Sequence, residues 1–84
     1  MIPVEFVLSW YDGDTRVVVE RRGSVSVVPH EGMVFELEDK EPHAYPPKYR
    51  VGEIVHLLFD AGPDVGIGSH RIIVHATRLR AGRV

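Results

Sequence analysis

Cysteine is absent from this chain, and so are asparagine and glutamine. Without cysteine there is no disulfide framework and no thiolate metal site, so packing, sheet closure or oligomerisation must hold the fold. That composition also suits a reducing cytoplasm, which is the expected location. Without Asn and Gln the chain lacks the side chains best suited to bidentate adenine contacts, a mark against sequence-specific DNA readout. No apolar run approaches the ~20 residues that span a bilayer, and Met1-Ile2-Pro3-Val4-Glu5 has no basic segment leading into a long apolar one. Neither export nor a membrane span is expected. No segment sustains the helical period of 3.6, so no helix is assigned.

What is present is valine. It supplies 14 of the 84 residues, and its stiff, branched side chain favours the pleated strand. A chain this short buries only about 60% of the surface its unfolded form exposes, so one modest core is the ceiling and residues 1–84 read as a single β domain. Its 10 basic and 12 acidic side chains nearly balance, and nothing in the total forces a nucleic-acid reading.

Val4, Phe6, Leu8 and Trp10 alternate along residues 4–11 in the manner of a half-buried strand, and Asp12-Gly13 follows as a hairpin turn. With those two residues as the turn, Leu8 faces Val17 and Phe6 faces Val19, at the cost of Glu5 opposite Glu20. The second strand is expected to bend at Gly23 and continue through Val28. Pro29-His30-Glu31-Gly32 reads as a turn, and residues 33–39 as a strand with Met33, Phe35 and Leu37 inward and Glu36 and Glu38 in solvent. Residues 40–48 hold three prolines and form a surface loop, the natural place for a binding excursion around Tyr45.

Residues 49–60 and 71–79 form the longest strand pair, with Gly52 as a kink. The register that sets Phe59 against Ile72, Leu57 against Val74 and Val55 against Ala76 keeps the inner pairs apolar. It also sets Asp60 against Arg71, Leu58 against Ile73 and His56 against His75 outside. Five to six short strands with tight turns predict an all-β fold, either a small barrel or a strongly curved antiparallel sheet.

Few residues carry chemistry. The five histidines match no compact ligand motif, and a cross-strand His56 and His75 pair is the best metal candidate, set against two ordinary surface histidines. Residues 62–69 are glycine-rich yet fit no phosphate-binding fingerprint and join two antiparallel strands, so a hairpin loop is the plainer reading. Ser69, His70 and Asp64 name a triad without its geometry. Arg71, Arg78 and Arg80, with Arg83 in a basic tail over residues 80–84, could line a basic edge beside Trp10 and Tyr11. Such an edge would suit phosphate or an acidic protein, and a solvated, charge-protected edge is the alternative. Val7, Val18 and Tyr11 on one outer face, and Ile54, Leu58 and Ile73 on another, are more apolar than a lone domain needs and suggest an interface.

Residues 28–37, 49–56 and 71–76, with a strand opening after a Pro-x-x-Gly turn and leading to a long meander, resemble small SH3-like barrels, including stand-alone proteins of bacteria and their phages. The resemblance implies binding and not catalysis, and transfers no site residue. The leading expectation is a non-enzymatic module that needs no cofactor. It binds a protein partner, itself included, through Val7, Tyr11, Tyr45 and Leu58. The alternatives are a nucleic-acid or nucleotide binder using Arg71, Arg78 and Arg80, and a small metal-dependent enzyme using His56 and His75.

Overall fold

Five strands follow one another along the chain: β1 (Ile2–Asp12), β2 (Thr15–Val25), β3 (Val34–Glu36), β4 (Lys48–Asp60) and β5 (Ile67–Arg78). They make one sheet in the order β2-β1-β5-β4-β3, curled into a half-barrel. The computed structural model describes residues 1–38 and 46–80. Tyr45, most of the proline-rich loop and the end of the basic tail lie outside the described residues. Among those described, no helix is long and apolar enough to cross a membrane.

The all-β expectation holds, with one topological correction. β1 and β5 pair in parallel, Glu5 beside Ile73 through Ser9 beside Thr77, so the sheet is mixed and not purely antiparallel. This pair joins two antiparallel units, the β1–β2 hairpin and the β3-β4-β5 meander.

Both hairpin registers differ from the sequence expectation. In the first, Gly13 has φ of 64°, and among the described residues only glycines take positive φ. The two central turn positions are therefore Gly13-Asp14, closed by Asp12 against Thr15. Glycine at the first central position is what a type II′ hairpin requires. The partner strand slips by two, which keeps every face and sets Leu8 against Val19, while Glu5 gains Arg22 in place of Glu20. β2 runs through Gly23 opposite Val4 in unbroken register and ends at Val25.

In the second hairpin the loop is shorter than expected, with Asp60 already paired to Ile67. Gly62 and Gly66 both take positive φ, which lets a tight turn form where a longer loop was anticipated. The ladder then slips by three residues, so Val55 meets Ile73, His56 meets Ile72 and Leu57 meets Arg71. An odd slip turns the partner over. Phe59 and Leu57, expected inside, are exposed as a result.

A register shift between Val51 and Ile54 places Gly52 and Glu53 against His75 alone, a β-bulge at the anticipated kink. It moves the inward face of β4 from Tyr49 and Val51 to Ile54. The core consists of Val4, Val51, Ile72 and Val74 in one cluster and Leu8, Tyr49 and Ala76 in another, bridged by Phe6 and Phe35. Burying each Val, Leu or Ile contributes about 1.5–3 kcal/mol. β3 is only three residues long, yet Phe35 lies against Phe6 and stacks on Tyr49 with centroids 5.6 Å apart. Met33 and Leu37, expected inside with it, are both largely exposed.

Candidate functional site

Arginine 78 closes one end of the core. It follows Ile72, Val74 and Ala76 on the inward face of β5, where the next apolar residue would otherwise sit. Its guanidinium lies 3.9 Å from the centre of the Trp10 ring. Its Nε and Nη2 donate to the Tyr49 hydroxyl at 3.2 and 2.8 Å. Tyr49 is buried, and its oxygen has the two lone pairs those donors need. The cation thus sits on an aromatic face and finds hydrogen bonds in one place. Outside it an open groove of about 730 Å³ is lined by Trp10, Tyr11, Gly13, Arg78, Leu79 and Arg80.

Arginine 71 lies elsewhere. It points to the opposite face of β5 from Arg78, seven positions away on an alternating strand. Its Nε and Nη2 each donate to a Glu5 carboxylate oxygen at 2.9 Å. Those hydrogen bonds, with the charges of Arg71 and the more distant Arg22, hold the Glu5 carboxyl below its ordinary value against a partial desolvation that opposes them. The same contact raises Arg71. The basic edge expected from Arg71, Arg78 and Arg80 is therefore divided: Arg71 is occupied by Glu5, and only Arg78 and Arg80 share a groove.

The histidines also regroup. His56 and His75 stand on opposite faces of the β4–β5 ladder, because the slipped register sets His56 beside Ile72 and leaves His75 at the bulge. His56 instead meets His70, Nδ1 to Nε2 at 2.8 Å, with the rings stacked 5.1 Å apart. One ring must donate and the other accept, so the pair holds at most one shared proton between those two atoms. Among the described residues no three His, Cys, Asp or Glu side chains come together as a metal site.

The glycine-rich loop spends its donors on itself. The Ala61 N–H donates to the Gly66 carbonyl across the turn, Val65 and Gly66 donate to the Gly62 carbonyl, and Gly62 donates to Asp60 Oδ1. Four N–H groups that could have cradled an anion thus close the hairpin.

The apolar candidates separate into two kinds. Val7 is half-buried on the outer face between Glu20 and His75, with Val18 and Tyr11 exposed nearby on the same face. Leu58 belongs to a different structure. β1 pairs with β5 only from Ile73 onward, and β3 pairs with β4 only up to Arg50. Beyond those limits β4 and β5 continue as a two-stranded arm, in a molecule 56 Å long and 29 Å wide. On its outer end Leu57, Leu58, Phe59, Val65 and Ile67 are all exposed.

Sequence reasoning found Leu58, Tyr11 and Arg78 as surface features but missed Tyr49 and Glu5 as their anchors' partners. Tyr49 reads as the start of a strand, and Glu5, 66 positions from Arg71, as the residue opposite Glu20. The odd face of β1 did hold a signal: an acid there needs a base on a neighbouring strand. No family model, curated protein or solved structure matches the chain, so no relative assigns a role to any of these residues.

Proposed function

We propose that this chain is a non-enzymatic interaction module of the cytoplasm, which docks a protein partner through the outer end of the β4–β5 arm. One observation carries this reading: an arm with no third strand across it among the described residues displays Leu57, Leu58, Phe59, Val65 and Ile67 to solvent. An isolated two-stranded hairpin is marginal in water, and large apolar side chains exposed together at one end of it mark an interface. A partner that covers these side chains stabilises the arm and gains their burial. The half-barrel curl and the β3-β4-β5 meander support kinship with small SH3-like barrels, whose role is likewise binding.

The test uses the partner recovered with the tagged full-length chain and then purified. Leu58→Asp and Phe59→Ser should each weaken its Kd about tenfold or more, as truncation of a buried anchor does, while the thermal midpoint of the free chain changes little. Affinities equal to wild type for both variants refute the arm as the docking element.

A second reading has one observation in its favour. The groove beside the Trp10–Arg78 pair presents Tyr11 and Arg80, an exposed ring and an exposed cation, which suits a stacked base with its phosphate. In that case affinity for single-stranded oligonucleotides falls steeply with salt and is lost in Arg80→Ala.

A further inference from the structure

The arm is one unpartnered surface, and the far edge of the sheet is another. β2 is the terminal strand, paired with β1 along all eleven residues and, among the described residues, with no strand on its other side. In a two-residue hairpin the closing pair, here Asp12 with Thr15, exchanges both backbone hydrogen bonds. Thr15, Val17, Val19 and Arg21 therefore turn their N–H and C=O groups toward β1. Arg16, Val18, Glu20 and Arg22 turn theirs outward. The Glu20 carbonyl bears this out, since it is taken at 2.9 Å by the side chain of Arg21 and not by β1.

The sequence along this open edge, Asp14-Thr15-Arg16-Val17-Val18-Val19-Glu20-Arg21-Arg22, reads as its own complement when reversed. We propose that β2 pairs antiparallel with the β2 of a second copy, centred on Val18, giving a two-fold symmetric dimer with one continuous sheet. In that register Arg16 stands opposite Glu20 of the second copy, and Asp14 opposite Arg22. Val17 meets Val19, and Val18 meets its own counterpart. Symmetry doubles each charged pair, and no like charges meet.

The hydrogen-bonding direction agrees, because every outward-facing residue meets another outward-facing residue. Neighbouring registers that keep this direction do not share the charge match. Slipping two residues one way brings Arg16 against Arg22, and slipping two the other way brings Asp14 against Glu20. A slip of four sets Glu20 against itself. Charges on an edge strand ordinarily prevent pairing; here their order prevents every nearby register except one. Forming the dimer requires little rearrangement. Arg21 leaves the Glu20 carbonyl, and Arg22, 86% exposed and 3.8 Å from Glu5, gives up a loose contact that Arg71 already makes better.

This surface is separate from the arm, so the two proposals fail separately. Sedimentation of the full chain across concentration should show a monomer–dimer equilibrium that weakens as salt rises. Arg16→Glu and Glu20→Arg each create two like-charge pairs in the dimer and should each raise the dimer Kd about tenfold. The double variant Arg16→Glu/Glu20→Arg restores opposite charges across the interface and should return the Kd to near wild type. Because the chain has no cysteine, Val18→Cys gives an independent reading, a dimer cross-linked through position 18 under mild oxidation. A wild-type monomer at all concentrations overturns the inference. So does a dimer that both single reversals leave intact, one that the double variant does not restore, or one lost only in Leu58→Asp.

Discussion

Where β1, β5 and β4 run side by side, Val74 is 0% exposed, with Val4, Leu8 and Val51 almost as deeply buried around it. A few residues further along the same two strands, Leu58 is 57% and Phe59 61% exposed. The side chains are equally apolar and the ladder between β4 and β5 continues through both regions. What changes is the number of layers. Over Val74 lie the curl of the sheet, Phe35 from β3 and the segment around Val28; over Leu58 no further strand lies among the described residues. Hydrophobicity marks a residue as one that gains from cover, but the neighbouring strands decide whether the cover comes from within the chain or from another molecule.

The largest test of that difference is a pair of truncations. Val74→Ala leaves a cavity in a site with no solvent on any side and should cost about 2 kcal/mol, roughly 10 °C in thermal midpoint for a domain of this size. Leu58→Ala should stay within about 0.5 kcal/mol, as surface substitutions do. Urea denaturation of the two variants measures both. Equal losses would mean that the arm belongs to the folded core, and the contrast between the regions would collapse.

A smaller effect sharpens the packed end. Tyr49→Phe removes the acceptor of both Arg78 hydrogen bonds and should cost about 1 kcal/mol. Trp10 is the chain's one tryptophan, so its fluorescence reports the change directly. Arg78→Ala uncovers the indole and should shift its emission to the red, whereas Arg80→Ala, on the rim of the same groove, should leave it in place. An unshifted spectrum in Arg78→Ala contradicts the closing role given to that arginine.

How much of this was legible in the sequence depended on the range of the interaction. Alternation along Val4, Phe6, Leu8 and Trp10 revealed β1 and its inward face, and Gly52 marked the bulge, because both are local. The hairpin registers were harder. They depend on which turn residue takes positive φ, and in Asp12-Gly13-Asp14 a shift of one position moves the whole ladder. The ten residues after Asp60 contain three glycines, of which only two, Gly62 and Gly66, take positive φ and bend the chain. The parallel pairing of β1 with β5 left no local trace, since each strand is patterned the same whichever neighbour it takes. Arg78 was legible as a cation near Trp10 but not as a lid on the core, because arginine on a strand normally reads as solvent-facing. Its inward position requires an acceptor, and Tyr49 could be recognised as one only when the register was known.

The smallest effect probes the joint between the two regions. Glu5 is the first residue of β1 to pair with β5, and Arg71, which it holds, lies two positions into the arm. Its carboxyl is held below the ordinary value of 4.5, chiefly by the hydrogen bonds from Arg71. A carboxylate with a depressed folded-state value binds its proton more readily when unfolded, so it stabilises the fold above pH 4.5 and loses that contribution as pH falls through the lowered value. Glu5→Gln lacks this term. The stability gap between wild type and variant should therefore be constant near neutrality and narrow below pH 4.5, as followed by urea midpoints over a pH series. The pair is solvent-accessible, so the gap is small, and hydrogen exchange locates it more sharply than a midpoint can. In Glu5→Gln the amides of residues 54–58 and 70–72 should exchange faster while Val74 and Leu8 keep their protection, because the clip that ties the arm to β1 is gone and the core around Val74 is untouched. Faster exchange spread evenly over both regions would show that Glu5 supports the whole sheet and not the joint.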